Sequence, residues 1–83
     1  SGQYEEIVLD AAHKANELAA AHIILSIMGN LSYESLEAKY ASGKIEKVPL
    51  GRSDFYGVRR LFFHYLNFLL KDLQEKERKG EER

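Results

Sequence analysis

The three histidines are the first residues to consider for chemistry, because imidazole can bind a metal and transfer protons near neutral pH. Asp10, His13 and Glu17 fall on one face of a predicted helix and could supply oxygen and nitrogen ligands. That set holds only one nitrogen ligand and has no matching carboxylates on a second helix, so a solvated polar face is favoured over a metal site. His22 lies among apolar residues, which favours a neutral core histidine bonded to a hydroxyl or carbonyl over a catalytic role. No metal and no cofactor are predicted.

The sharpest local pattern is the segment RRLFFHY, residues 59–65. It resembles the R-x4-H motif of HEPN-type domains, which are all-helical modules found in RNA-cleaving toxins and CRISPR-associated ribonucleases. The matching residues are Arg59 and His64. In that family the arginine and the histidine meet those of a second subunit in a ribonuclease site that needs no metal. The resemblance therefore implies catalytic roles for Arg59 and His64, with RNA as substrate.

The helical wheel gives each of these two residues a plainer interpretation as well. His64 belongs to a narrow polar stripe with Arg60, Asn67 and Lys71, where an ordinary solvent-facing histidine is expected. Arg59 falls in the apolar sector, where a lone charge is costly without a partner. Three explanations stay open for Arg59: its side chain reaches out to solvent, it pairs with a carboxylate of this or another chain, or it is held for chemistry.

Basic residues near the motif could contact phosphate groups. Arg52, Arg60 and Lys71 are the candidates for nucleic-acid contact. A cluster of basic residues in the connection and at the start of the last helix is interrupted by Glu46 and Asp54; it consists of Lys44, Lys47, Arg52, Arg59 and Arg60. The glycines are isolated and form no phosphate-binding loop, and nothing marks a nucleophilic triad or a glycosidase pair of carboxylates.

Three helices are predicted to position these residues. Their predicted bounds are 4–28, 33–42 and 55 onward into a charged tail. Gly29 and Asn30 end the first helix because both tolerate the left-handed conformation. Ser32 caps the second helix and Gly43 ends it. Residues 44–52 form an extended connection. The predicted fold is an all-α bundle of two long helices and one short helix.

The apolar residues exceed what such a small bundle can cover. The second half of the first helix is apolar on every side, and the third helix has a broad apolar arc. A surface of this kind marks a binding site, and a second copy of the chain is the simplest cover. The sequence therefore predicts a homodimer. The expected interface residues are Ile23, Ile24, Ile27, Phe62, Tyr65 and Leu69.

Length and composition limit the remaining possibilities. The 83 residues allow one domain, predicted to cover 3–79, with a charged and disordered tail over 80–83. Twelve basic and thirteen acidic residues nearly balance, so the overall charge gives no reason to bind nucleic acid or membrane. Cysteine is absent, which excludes disulfides and thiolate metal sites. No apolar run reaches the length of a membrane span, and a cytoplasmic location is expected.

The function predicted from these features is a non-enzymatic helical module for self-association or for binding a protein partner. The alternative is a nucleic-acid-directed helical protein, including a HEPN-like ribonuclease that uses Arg59 and His64. A bundle that binds a metal or a small molecule is a third hypothesis. The natural partner or substrate is not specified by the sequence.

Overall fold

The computed structural model describes residues 2–81, which form four α-helices and no strand. The helices are α1 (Gln3–Ala15), α2 (Ala20–Gly29), α3 (Tyr33–Ala41) and α4 (Arg52–Glu81). The predicted all-α class is confirmed. The structure has four helices where three were predicted, because the first predicted helix is divided into α1 and α2.

Asn16 causes this division. Its backbone leaves the helical region, with φ −169° and ψ 117°, and its side-chain Oδ1 accepts a hydrogen bond from the Ala19 amide at 2.9 Å. A short polar side chain of this kind competes with the helical backbone for hydrogen bonds and favours a turn. Because α2 starts in a new direction, it buries a different set of side chains from α1. That change explains why the amphipathic pattern of α1 gives way to a continuous apolar run in α2.

The predicted stop at Asn30 and the predicted cap at Ser32 are confirmed, and α2 and α3 end within one residue of the predicted bounds. Asn30 adopts the left-handed conformation with φ 52°, and the Leu31 amide donates to the Ser26 carbonyl at 2.9 Å. These are the features of a helix closed by a left-handed residue. The Ser32 hydroxyl accepts from the amide of Ser35 and so caps α3. Gly43, with φ 79°, follows the end of α3.

The connection between α3 and α4 is held to the bundle by two long-range hydrogen bonds. The His22 ring donates to the carbonyl of Glu46 at 2.9 Å, and the Tyr33 hydroxyl donates to the carbonyl of Leu50 at 2.9 Å. Burial, followed by the negative charge of Glu37, raises the pKa of the Tyr33 phenol above its ordinary value. Val48 is buried between these two attachments in the chain. The connection is therefore a fixed part of the fold.

The core is formed where α1 and α2 pack on α4. Ala11 and Ala12 of α1 are fully buried, since alanines let neighbouring helices approach closely. The first residues of α1 lie beside Leu69 and Leu73, whereas Asn16 lies beside Leu61, so α1 runs antiparallel to α4. The largest buried side chains are those of Ile23, Leu36, Phe55 and Phe62.

Helix α4 extends well beyond this core. It begins at Arg52, three residues before the predicted start, because the Phe55 amide already donates to the Gly51 carbonyl. It continues to Glu81, so residues 80 and 81 of the predicted tail are helical. Residues 82 and 83 of that tail lie outside the described residues. The 30 residues of α4 span about 45 Å at 1.5 Å per residue.

Candidate functional site

Arg59 is half-buried, and its hydrogen-bond partner is a neutral side chain. Its guanidinium Nη1 donates to the Ser26 hydroxyl at 3.1 Å, and that hydroxyl in turn donates to the Leu31 carbonyl at 2.6 Å. Ser26 is fully buried. Arg59 therefore lies at the carboxyl end of α2, where the helix dipole favours a positive charge. Within residues 2–81 it forms no salt bridge, so the predicted carboxylate partner is not found in this chain.

His64 is exposed and lies away from Arg59. The two residues are five positions apart on one continuous helix, which turns their side chains about 140° from each other. His64 is surrounded by the other members of the predicted polar stripe, Arg60, Asn67 and Lys71, and all four residues are exposed. The prediction of that stripe is confirmed. A single chain does not bring the two residues of the R-x4-H motif together.

The basic residues expected to contact phosphate have different surroundings. Arg52 pairs with Glu34, with 2.8 Å between Nε and Oε2, and its guanidinium lies over the ring of Tyr56. Arg60 and Lys71 form no salt bridge in the part of the chain that the structure describes. Only these last two are free to meet an anion without breaking an existing contact.

The other histidines have structural surroundings. His22 is 9% exposed, as predicted for a core histidine bonded to a carbonyl, and its Nδ1 has no hydrogen-bond partner among the described residues. His13 contacts the Glu17 carboxylate at 2.7 Å, while Asp10 contacts Lys14 at 3.6 Å. No three His, Cys, Asp or Glu side chains among residues 2–81 are grouped so that they could hold a metal ion.

The residues predicted to form a subunit interface are mostly turned inward. Ile23 is 0% exposed and Phe62 is 1% exposed, so both belong to the core of the single chain. The other four are partly buried and pack against that core: Ile24, Ile27, Tyr65 and Leu69. The separate direction of α2 accounts for this difference, because it lets one chain cover Ile23 and Phe62. In the single chain, Ile23 and Phe62 are therefore covered without a second copy.

Other large apolar side chains are exposed instead. Residues of α1 and α2 line an apolar groove, here called the α1–α2 groove, which consists of Tyr4, Glu5, Val8, Leu9, Ile24 and Met28. On α4 the side chains of Leu61, Phe63 and Phe68 are 39%, 40% and 64% exposed. The sequence indicates an excess of apolar residues but does not specify these positions. Finding these positions requires knowing which helix faces are covered by other helices. A helical wheel does not contain that information.

Comparison with family models, with curated proteins and with solved structures finds no match to this chain. Among residues 2–81, no helix has both the length and the apolar character that crossing a bilayer requires. The arrangement of the described side chains is therefore the basis for assigning a function. It offers exposed apolar surfaces, an exposed basic stripe and a half-buried arginine without an acidic partner.

Proposed function

We propose that this chain is a non-enzymatic helical module whose function is self-association. The observation that carries the proposal is the amount of apolar surface left uncovered on a single chain. Nine large apolar side chains among the described residues are substantially exposed. They are Tyr4, Leu9, Leu18, Leu25, Met28, Tyr40, Leu61, Phe63 and Phe68.

The grouping of these side chains matters more than their number, since single exposed apolar residues are common on monomers. Three of them, Tyr4, Leu9 and Met28, come from two different helices and line the α1–α2 groove. On α4, Leu61 and Phe68 lie on one face of the helix, and Phe63 lies on another. Contiguous apolar surface of this kind is typical of protein–protein contacts. Association with a second copy also supplies the buried area that a chain of 83 residues otherwise lacks.

Sedimentation velocity over a dilution series from about 1 to about 100 µM tests self-association, since dimer population depends on protomer concentration. We expect a dimer at the upper end of the series and dissociation on dilution. A folded monomer at every concentration would overturn the proposal.

A ribonuclease of the HEPN type is the second candidate, and the surroundings of Arg59 favour it. The guanidinium uses one donor on Ser26 and forms no salt bridge within residues 2–81, which leaves donors for a phosphate. His64 is exposed, and imidazole is a side chain that can transfer protons near neutral pH. A second subunit would have to bring its own copies of these residues into a shared groove.

The ribonuclease hypothesis is tested with single-stranded RNA in EDTA, beside a DNA of the same sequence and the His64→Ala variant. Metal-independent cleavage that uses the ribose 2′-hydroxyl should occur on RNA alone and should be lost in the variant. Equal cleavage by both proteins, or none by the parent, removes this candidate.

A further inference from the structure

On one face of α4, the spacing between residues is the same when counted from either end. Starting at Arg59, the residues at alternating spacings of four and three are all apolar until Glu77. This face, here called the α4 stripe, consists of Arg59, Phe63, Leu66, Leu70, Leu73 and Glu77. The alternation of four and three is the heptad pattern with which two helices pack along each other. The stripe has opposite charges at its two ends and four apolar residues between them.

The structure leaves part of this stripe available. Phe63 is 40% exposed, and Glu77 is exposed on the part of α4 that extends past the core. Leu70 is partly buried, whereas Leu66 packs against the central core and Leu73 lies beside the first residues of α1. Neither charged end forms a salt bridge within residues 2–81. Phe63, Leu70 and both charges are therefore without a full complement in the single chain.

We propose that the α4 stripe pairs with the α4 stripe of a second copy in antiparallel orientation, about a two-fold axis near residue 68. This inference rests on the proposed self-association and names the surface that performs it. Arg59 then lies opposite Glu77 of the partner subunit, and the symmetry repeats that ion pair at the other end. Phe63 lies opposite the partner's Leu73, and Leu66 opposite the partner's Leu70. Six layers result, with an ion pair closing each end of an apolar seam about 27 Å long.

The charges decide the orientation of the two helices. A parallel pair in register would place Arg59 against the partner's Arg59 and Glu77 against the partner's Glu77. Like charges at facing positions of a helix pair are unfavourable, whereas opposite charges specify partner and register. Only the antiparallel arrangement satisfies both ends at once. Arg60, exposed next to Arg59, adds a second positive charge at the place where the partner's Glu77 lies.

The pairing also accounts for Arg59. A half-buried guanidinium beside apolar side chains is costly unless its donors are used. Ser26 uses one of them. The carboxylate of the partner's Glu77 would accept hydrogen bonds from other donors of the guanidinium. Arg59 then stabilises the end of the interface, and no catalytic role is needed to explain it. The same side chain cannot easily serve a ribonuclease, since its donors would then be occupied by a carboxylate.

The first test is charge reversal at Glu77, because that residue is exposed and lies outside the core. Glu77→Arg places positive charges against Arg59 at both ends, and we expect the dissociation constant of the dimer to rise on the order of 100-fold. Glu75→Arg is the matched control. It makes the same charge change two residues away, off the stripe, where the carboxylate pairs with Arg78 of its own helix. We expect this control to dimerise nearly as the parent does.

The second test locates the two-fold axis with thiols, since the chain has no cysteine of its own. Asn67→Cys puts a thiol beside the axis on an exposed position, and a short bis-maleimide should link two subunits. His64→Cys is the control, because its thiol is equally exposed but turned away from the stripe. Efficient crosslinking of the first variant and little of the second supports the antiparallel pairing.

The outcomes separate the two proposals. A parent that stays monomeric overturns self-association and the pairing together. A dimeric parent that is indifferent to Glu77→Arg, or that crosslinks equally at positions 64 and 67, overturns the α4 pairing alone. In that case the dimer forms through another surface, for which the α1–α2 groove is the alternative.

Discussion

The two halves of α4 differ in how they are held. The first half lies in the core, where Phe62 is 1% exposed and Tyr56 accepts a hydrogen bond from the Tyr33 amide at 3.0 Å. The second half carries Phe68, which is 64% exposed, and continues into turns held by pairs such as Lys76 with Asp72. The first half contributes the largest buried side chains of α4, while the second half includes its most exposed phenylalanine. The contrast indicates that the first half contributes more to the stability of the single chain.

Replacing one phenylalanine in each half gives the largest expected difference. Phe62→Ala removes a fully buried ring, and we expect the free energy of unfolding to fall by about 3–5 kcal/mol. Phe68→Ala is the matched control, because the same truncation at an exposed position leaves no cavity. Thermal and urea unfolding at equal low protein concentration measure both effects. Similar losses for the two variants would contradict the division between the halves.

The histidines provide a second comparison, between a buried histidine that attaches a connection to the bundle and an exposed histidine on α4. His22→Ala removes the hydrogen bond that attaches the α3–α4 connection at Glu46, and we expect a loss of about 2 kcal/mol. His64→Ala changes an exposed side chain on the polar stripe and should leave the unfolding midpoint unchanged. Faster amide exchange across residues 45–48 in the His22 variant would show that the connection has been released. Unchanged exchange there would mean that this hydrogen bond does not hold the segment.

Of these substitutions at buried or half-buried residues, Arg59→Ala is expected to lower the free energy of unfolding of the single chain the least. Its partner is the neutral Ser26 hydroxyl, so Arg59→Ala leaves no carboxylate uncompensated, and we expect a loss of about 1–2 kcal/mol. Arg60→Ala, the neighbouring change on the exposed side, should have no measurable effect on unfolding. Measured below the dissociation constant of the dimer, a loss above about 3 kcal/mol would indicate a buried ion pair that the structure does not contain.

What could be predicted from the sequence depends on how local each feature is. The stop at Asn30 and the cap at Ser32 were predicted correctly, because each follows from the preferences of one residue and its near neighbours. The break at Asn16 was missed, since an asparagine within a helical pattern is compatible with either outcome until its side chain finds the Ala19 amide.

The candidate site was less predictable because it depends on distant contacts. Ser26, the partner of Arg59, lies 33 residues earlier in the chain, and no spacing rule connects them. Ile23 and Phe62 were assigned to a subunit interface from their apolar surroundings, but they pack inside the chain. A helical wheel gives the width of an apolar face and not what covers it. The excess of apolar surface was recognised, whereas its position required the arrangement of the four helices.

The most direct test of the account compares the parent and Glu77→Arg by sedimentation velocity at about 100 µM protein, where dimers with micromolar dissociation constants are populated. The predicted result is a dimeric parent and a folded, largely monomeric variant. A parent that sediments as a folded monomer would contradict self-association. A variant as fully dimeric as the parent would contradict the antiparallel pairing of α4.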